Sequence, residues 1–245
     1  MNLSELPVEG GVRQRGLQVT RLETFVDAAF AFAVTLLVVS FDSMPSTFAE
    51  LHDALRRLPA FLAGFAILAL FWFSHHRFSR RFALEDGFIV FLSLTLVAAT
   101  LFYVYPLRMV MSAAMSFFTG GWAPSEFAVQ SMSEFRLIFV IYSMGFAVLS
   151  CLIVLLNLRA LSKADTLQLD AAERLATRAE IVSHLILIGC AALSILVAAL
   201  IPEQPDWLQA LPGLVYCLLG VLSPWSGIHY GLRVEKLAAA RESRS

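Results

Sequence analysis

Residues 21–40 read RLETFVDAAFAFAVTLLVVS. Arg21 and Asp27 stand near the front of this stretch, and nothing charged follows Asp27. Hydrocarbon is roughly 30 Å thick, and about 20 residues cross it at about 1.5 Å each, so the stretch reads as a membrane-spanning helix. A carboxylate at the mouth of such a span is costly unless it is paired. Asp27 therefore needs a partner from another part of the chain.

The composition of the whole chain points the same way. Of its 245 residues, 58% are apolar and 15% are charged, with a mean hydropathy of +0.74. A soluble domain carries about 25% charged and about 45–50% apolar residues. The excess apolar surface needs lipid as its solvent. A net charge of −1 supplies no basic field for nucleic acid. Cys151, Cys190 and Cys217 stand singly in apolar runs without ligand spacing, and read as small buried hydrophobes. Phe41-Asp42-Ser43-Met44 is no small-residue cleavage site, so the first span reads as retained rather than as a removed signal peptide.

Six segments are long enough to span, near 22–41, 58–76, 87–111, 135–158, 181–201 and 208–230. Pro59 suits the first turn of the second span, and Pro106 and Pro224 are expected to kink or end the third and sixth. Residues 112–134 form a long loop. Residues 159–180, with Glu173 and Arg174 among Ala and Leu, read as a helical connector lying on the membrane surface. Fourteen of the 18 Lys and Arg residues fall on one side of this topology. Arg56, Arg57, Arg108 and Arg136 fall on the other. The positive-inside rule places the basic side, with both chain ends, in the cytoplasm, and an even span count agrees. The expected organisation is a cytoplasmic tail over 1–20, a six-helix all-α transmembrane unit over 21–230, and a second cytoplasmic tail over 231–245.

A helical wheel divides the first span. With Asp27 at the origin, Ala31, Val34 and Val38 fall within about 40° of it, while Phe32, Leu36 and Val39 lie on the far side. That plain apolar stripe suits helix packing, lipid contact or the lining of a path. The second span runs the other way and ends FWFSHHRFSRR over 71–81, which brings Trp72, Ser74, His75, His76 and Arg77 to the depth of Asp27. Trp72 and His76 share a face, and an Asp–Trp or Asp–His hydrogen bond between the helices would satisfy the carboxylate. Anchoring at the membrane boundary is the other reading of this cluster. Adjacent histidines on a helix diverge by about 100°, and no third ligand is in sight, so neither a metal nor another cofactor is expected.

Arg21-x-x-x-Phe25-Val26-Asp27 followed by AAFAFAVTLL resembles the R-x-x-x-F-S-D signature and following helix of the transmembrane protein 175 family. Trp72 and His76 resemble a second feature of that family, and Tyr105-Pro106-Leu107 is loosely similar to a helix end there. The family comprises potassium-permeable channels of lysosomes and of many bacteria. The resemblance implies a homotetramer with the first helices around a central pore. It also implies passage of potassium and other monovalent cations and, for the bacterial type, a place in the inner (plasma) membrane. Carried over by position, the apolar rings of the ion pathway would be Phe32, Leu36 and Val39. Arg21, Phe25, Asp27, Trp72 and His76 would hold the pore helix. Two positions depart from the pattern: Val26 stands for the motif Ser, and Phe32 stands where the bacterial members usually carry Ile.

Two other classes fit less well. A secondary transporter needs polar sites at the midplane and paired broken helices. Here mid-span polarity is limited to hydroxyls such as Thr35, Ser93, Thr95, Ser143 and Ser194. An enzyme needs converging groups. His184, His229, Glu126 and Glu134 form no nucleophile–base pair or metal triad in the sequence.

Overall fold

The computed structural model describes residues 5–38, 45–126, 131–201 and 206–242. A small antiparallel hairpin opens the chain, β1 (Val8–Glu9) pairing with β2 (Val12–Arg13). Its turn is Gly10-Gly11, with φ of 56° and 79°. Two consecutive positive φ values define the tight hairpin turn that glycine adopts without steric cost. Helices follow: α1 (Arg21–Val38), α2 (Phe48–Arg56), α3 (Leu58–Phe82), α4 (Gly87–Phe118), α5 (Met132–Ser162) and α6 (Ala171–Leu200). Two 3-10 turns, Asp206–Ala210 and Val215–Leu218, flank the short α7 (Leu211–Leu214), and α8 (Leu219–Glu242) ends the fold.

Local chemistry sets the helix starts. Asp86 accepts from the backbone N–H groups of Phe88 and Ile89 and so caps α4. Asp170 and Glu173 form a reciprocal capping box that starts α6. Ser131 caps α5, and Pro59 occupies the first turn of α3, where its missing N–H costs nothing.

Among the described residues, five helical stretches are long and apolar enough to cross a membrane. They are Leu58–Phe82, Gly87–Phe118, Met132–Ser162, Ala171–Leu200 and Leu208–Ala240. The helix α1, with 18 residues of which Arg21, Glu23 and Asp27 are charged, is not among them. The chain beyond Val38 that completes its expected span lies outside the described residues. The first span is thus helical where expected, over Arg21–Val38.

Two expectations need correction, and a third is narrowed. The helix α4, expected to kink or end at Pro106, does not end there but continues to Phe118. One lost hydrogen bond is outweighed there by the burial of Tyr103, Val104, Leu107 and Val110 around the proline. Residues 159–180 are not a surface connector. They are the end of α5, a short turn over 163–170 and the first turns of α6. Asp86 draws the end of α5 inward, with Arg159 Nη2 at 3.1 Å and Lys163 Nζ at 2.6 Å from its Oδ2. Of the three cysteines only Cys190 is buried; Cys151 and Cys217 lie on the surface of the bundle. In a membrane protein an apolar run does not say which side of a helix meets lipid.

The helices pack in sequence. The α6 helix lies along α5 and α8, α4 lies against α5, and α1 sits against α3 and α4. One continuous core runs from Val26 and Phe30 of α1 through Leu68 and Phe71 to Leu149, Ile153 and Leu156 of α5. The hairpin and the end of α8 meet at one end of the bundle, where Val12, Ala172, Ala176, Val234 and Ala238 form a second cluster. Both described chain ends therefore lie at the same end, and most Arg and Lys residues gather there. Within residues 1–20 the hairpin and Gly16 dock on the bundle, and beyond residue 230 α8 continues to Glu242.

Candidate functional site

The α1 helix has two unlike faces. Glu23, Val26, Phe30, Ala33 and Leu37 are buried, at the three–four spacing of a single helical stripe. Leu37 comes so close to α3 that a Cβ added at Gly64 would lie 3.0 Å from Leu37 Cδ2. Glycine at that position is what admits the contact.

Charge reinforces this side. Trp72 Nε1 donates to Asp27 Oδ1 at 2.8 Å. The indole stacks on the His76 ring, with centroids 5.4 Å apart and planes at 20°. His76 Nδ1 in turn lies 3.5 Å from Glu23 Oε1. Both acids of α1 therefore meet one aromatic pair on α3. The half-exposed indole N–H gives Asp27 the charge-assisted partner a carboxylate at membrane depth requires. Beside His76 but facing into the bundle, buried His75 lies with its Nε2 3.0 Å from Ser93 Oγ and ties α3 to α4.

The other face carries no such ties. Phe25, Ala28, Ala31, Phe32, Thr35 and Val38 are exposed along the length of the helix, Phe25 at 53% and Phe32 at 55%. The Thr35 hydroxyl donates to the Ala31 carbonyl at 3.0 Å, so even this polar group is satisfied within the helix. The result is a largely apolar surface whose hydroxyls, Thr24 in the first turn and Thr35 further along, are both satisfied within the chain.

Of the residues the sequence singled out, the structure joins Asp27, Trp72 and His76 into one cluster. Arg21 and Phe25 are not part of it, because both are exposed on the free side of α1. Phe32 lies on the free face. Leu36 does not: it is half-buried and packs against the main core. Val39 lies outside the described residues. The free face is turned by roughly 60° from the stripe read on the wheel, at about 100° per residue. The wheel took Asp27 to point into the bundle, whereas Trp72 reaches Asp27 from the flank.

Sequence reasoning also passed over Glu23, Ala28 and Ala31. Glu23 stands four residues before Asp27 on the same side, and that spacing was the available signal. Val26, in place of the motif serine, is fully buried and needs no hydrogen bond. Among the described residues no group of three His, Cys, Asp or Glu side chains is arranged to hold a metal.

At the opposite end of the bundle, Glu126 receives Arg57 at 3.1 Å and Arg108 at 2.6 Å. Arg56 donates to the Trp122 carbonyl at 2.6 Å. These bonds tie the α2–α3 junction and Arg108 of α4 to the segment that follows α4, near Leu37.

Comparison with known proteins connects this geometry to a family. Residues 21–105, which carry α1, α3 and the first half of α4, match the family described as endosomal/lysosomal potassium channel TMEM175. A protein named "Potassium channel" from Marivirga tractuosa is 30% identical over 209 residues, covering 83% of this chain and 84% of that one. Among solved structures, a variant of the potassium channel MtTMEM175 in complex with a nanobody–MBP fusion superposes with a TM-score of 0.77. It is 27% identical and covers 94% of this chain and all of its own. A TMEM175 homologue from Chamaesiphon minutus shares the fold, with a TM-score of 0.55 and 20% identity over 87% of this chain and 96% of its own. With a relative this similar over most of both lengths, and with the family match lying on the two-faced helix and its partners, the chain belongs to the TMEM175 potassium-channel family.

Proposed function

We propose that this chain is a potassium-permeable cation channel whose ion path is lined by the free face of α1. The observation that carries the reading is the asymmetry of that helix, knitted to α3 and α4 on one side and bare along the other. Family membership and the potassium-channel names of its relatives support it. One subunit with one free helix face cannot enclose a path, so a closed ring of copies is required. A homotetramer with four α1 helices at its axis is our assignment. In it α1 counts as the sixth crossing, and the basic end with both chain ends faces the cytoplasm. A bacterial inner membrane is the proposed location.

In such a ring Phe32 supplies the bulkiest constriction and Val39 a further apolar level, while Thr35 contributes hydroxyls between them. Leu36 backs the lining rather than forming it. Apolar rings obstruct ions by dewetting, and their width sets the barrier. They offer no oxygens to replace a hydration shell, so discrimination between potassium and other monovalent cations should be modest. Asp27, Trp72 and His76 brace the pore helix from behind, and Arg21 and Phe25 lie at its mouth.

Potassium flux into liposomes containing purified protein tests this reading. Phe32→Ala should raise the flux by widening the narrowest ring. Unchanged flux in a folded, tetrameric Phe32→Ala variant would remove α1 from the ion path.

A further inference from the structure

We propose that Arg15 and Glu173 are positioning residues for the pore helix, acting through the strap that joins the hairpin to α1. The functional half of this proposal rests on α1 lining the ion path. The anchor is well built. Glu173, whose side chain is completely buried, receives Arg15 at 2.9 Å and 3.1 Å and Arg13 at 2.7 Å and 3.1 Å. Arg15, 3% exposed, also donates to the Leu167 carbonyl at 3.0 Å. Val12 enters the apolar cluster between α6 and α8, and the Gly11 turn lies against Ala238 and Val234. The hairpin is thereby fixed to both helices, far from α1 in the packing order.

The strap then passes over the end of α3. Gly16 N–H donates to the Arg80 carbonyl at 2.9 Å, and the Arg80 guanidinium donates back to the Gly16 carbonyl. A Cβ at Gly16 would fall 2.6 Å from the Ser79 carbonyl oxygen, so the close passage depends on glycine. Thr20 already caps α1, its hydroxyl accepting from Glu23 N–H at 3.2 Å. Only Leu17, Gln18 and Val19 separate the anchored Gly16 from that cap. Gly16 to Thr20 is four residue steps, which reach at most about 14 Å fully extended. The strap therefore bounds how far the start of α1 can move from the end of α3, and the Arg15–Glu173 pair fixes the residue beside Gly16. Breaking the pair leaves a buried charge without its partner, so the anchor opposes release strongly.

The test uses a spin label at Thr24→Cys, an exposed site in the first turn of α1, in protein carrying Cys151→Ala and Cys217→Ala. One variant is Glu173→Gln. A second inserts two glycines between Gln18 and Val19, adding about 7 Å of reach while leaving the anchor and α1 unaltered. Both should shift the label to faster motion, and the insertion should do so without lowering the unfolding temperature. Potassium flux of the unlabelled insertion variant should change alongside. The insertion variant decides, because its anchor is intact. A label as immobile as in the parent protein would overturn the tether. A mobilised label with parental flux would keep the tether and count against α1 as the ion path.

Discussion

The two faces of α1 run the same length and are both largely apolar, yet one is packed into the bundle and the other is exposed. The bundle-side face holds Phe30, Ala33 and Leu37 in a packed core and sends Glu23 and Asp27 to the Trp72–His76 pair. The free face presents Phe25, Phe32 and Val38 to whatever lies outside the subunit. Position on the helix decides the role of a phenylalanine here. Phe30 at 4% exposure is structural, while Phe32 at 55% is available for function.

Substitutions at those two positions should separate most. Phe30→Ala should cost about 3–5 kcal/mol, as lost burial plus a cavity. Phe32→Ala should stay within about 0.5 kcal/mol of the parent and change flux instead. Thermal unfolding in detergent, read beside liposome flux, makes the comparison. Equal losses of stability would erase the distinction between the faces. Next in size is Trp72→Phe, which removes the indole N–H and leaves Asp27 without that donor, at about 1–3 kcal/mol. Asp27→Asn should cost less, because the amide oxygen still accepts from Trp72. A larger loss from Asp27→Asn than from Trp72→Phe would show that the charge, not the hydrogen bond, holds this side.

Gly64→Ala probes the same side more gently. Leu37 Cδ2 would have to retreat from a contact of 3.0 Å, and the expected cost is about 1 kcal/mol in the unfolding free energy. The smallest effect expected is a dependence on pH at the basic end of the bundle. Lys163, the backbone N–H of Ile89 and Arg159 hold the Asp86 carboxyl at about 2, below its ordinary 3.8. A carboxyl depressed on folding stabilises the protein fully above about pH 4, and the gain is lost as pH falls through about 2. The unfolding temperature of the parent should fall over that window, and that of Asp86→Asn should fall less. Identical profiles would detach Asp86 from the stability of this end.

The helical plan was legible in the sequence because long apolar runs, capping residues and the uneven Lys and Arg distribution are local signals. The meeting of Asp27 with Trp72 was legible as well, since antiparallel neighbours put both at one depth. The direction of the free face was not. It depends on how α3 and α4 cradle α1, and Leu36 is claimed by that packing although the wheel left it free. The docked hairpin was invisible for another reason. Arg13 and Arg15 look like ordinary positive-inside residues, and nothing near them in sequence announces Glu173, about 160 residues away, as their shared partner.

Cysteine accessibility along α1 is the most direct test of its free face as the ion path. Single cysteines at Ala28, Phe32 and Thr35, in protein without the exposed native thiols, should react with a water-soluble, membrane-impermeant thiol reagent and lose potassium flux on reaction. Cysteines at Val26, Phe30 and Ala33 should stay unreactive. Reaction of the free-face positions only with lipid-soluble reagents, with flux unchanged, would place that face against lipid and contradict the account.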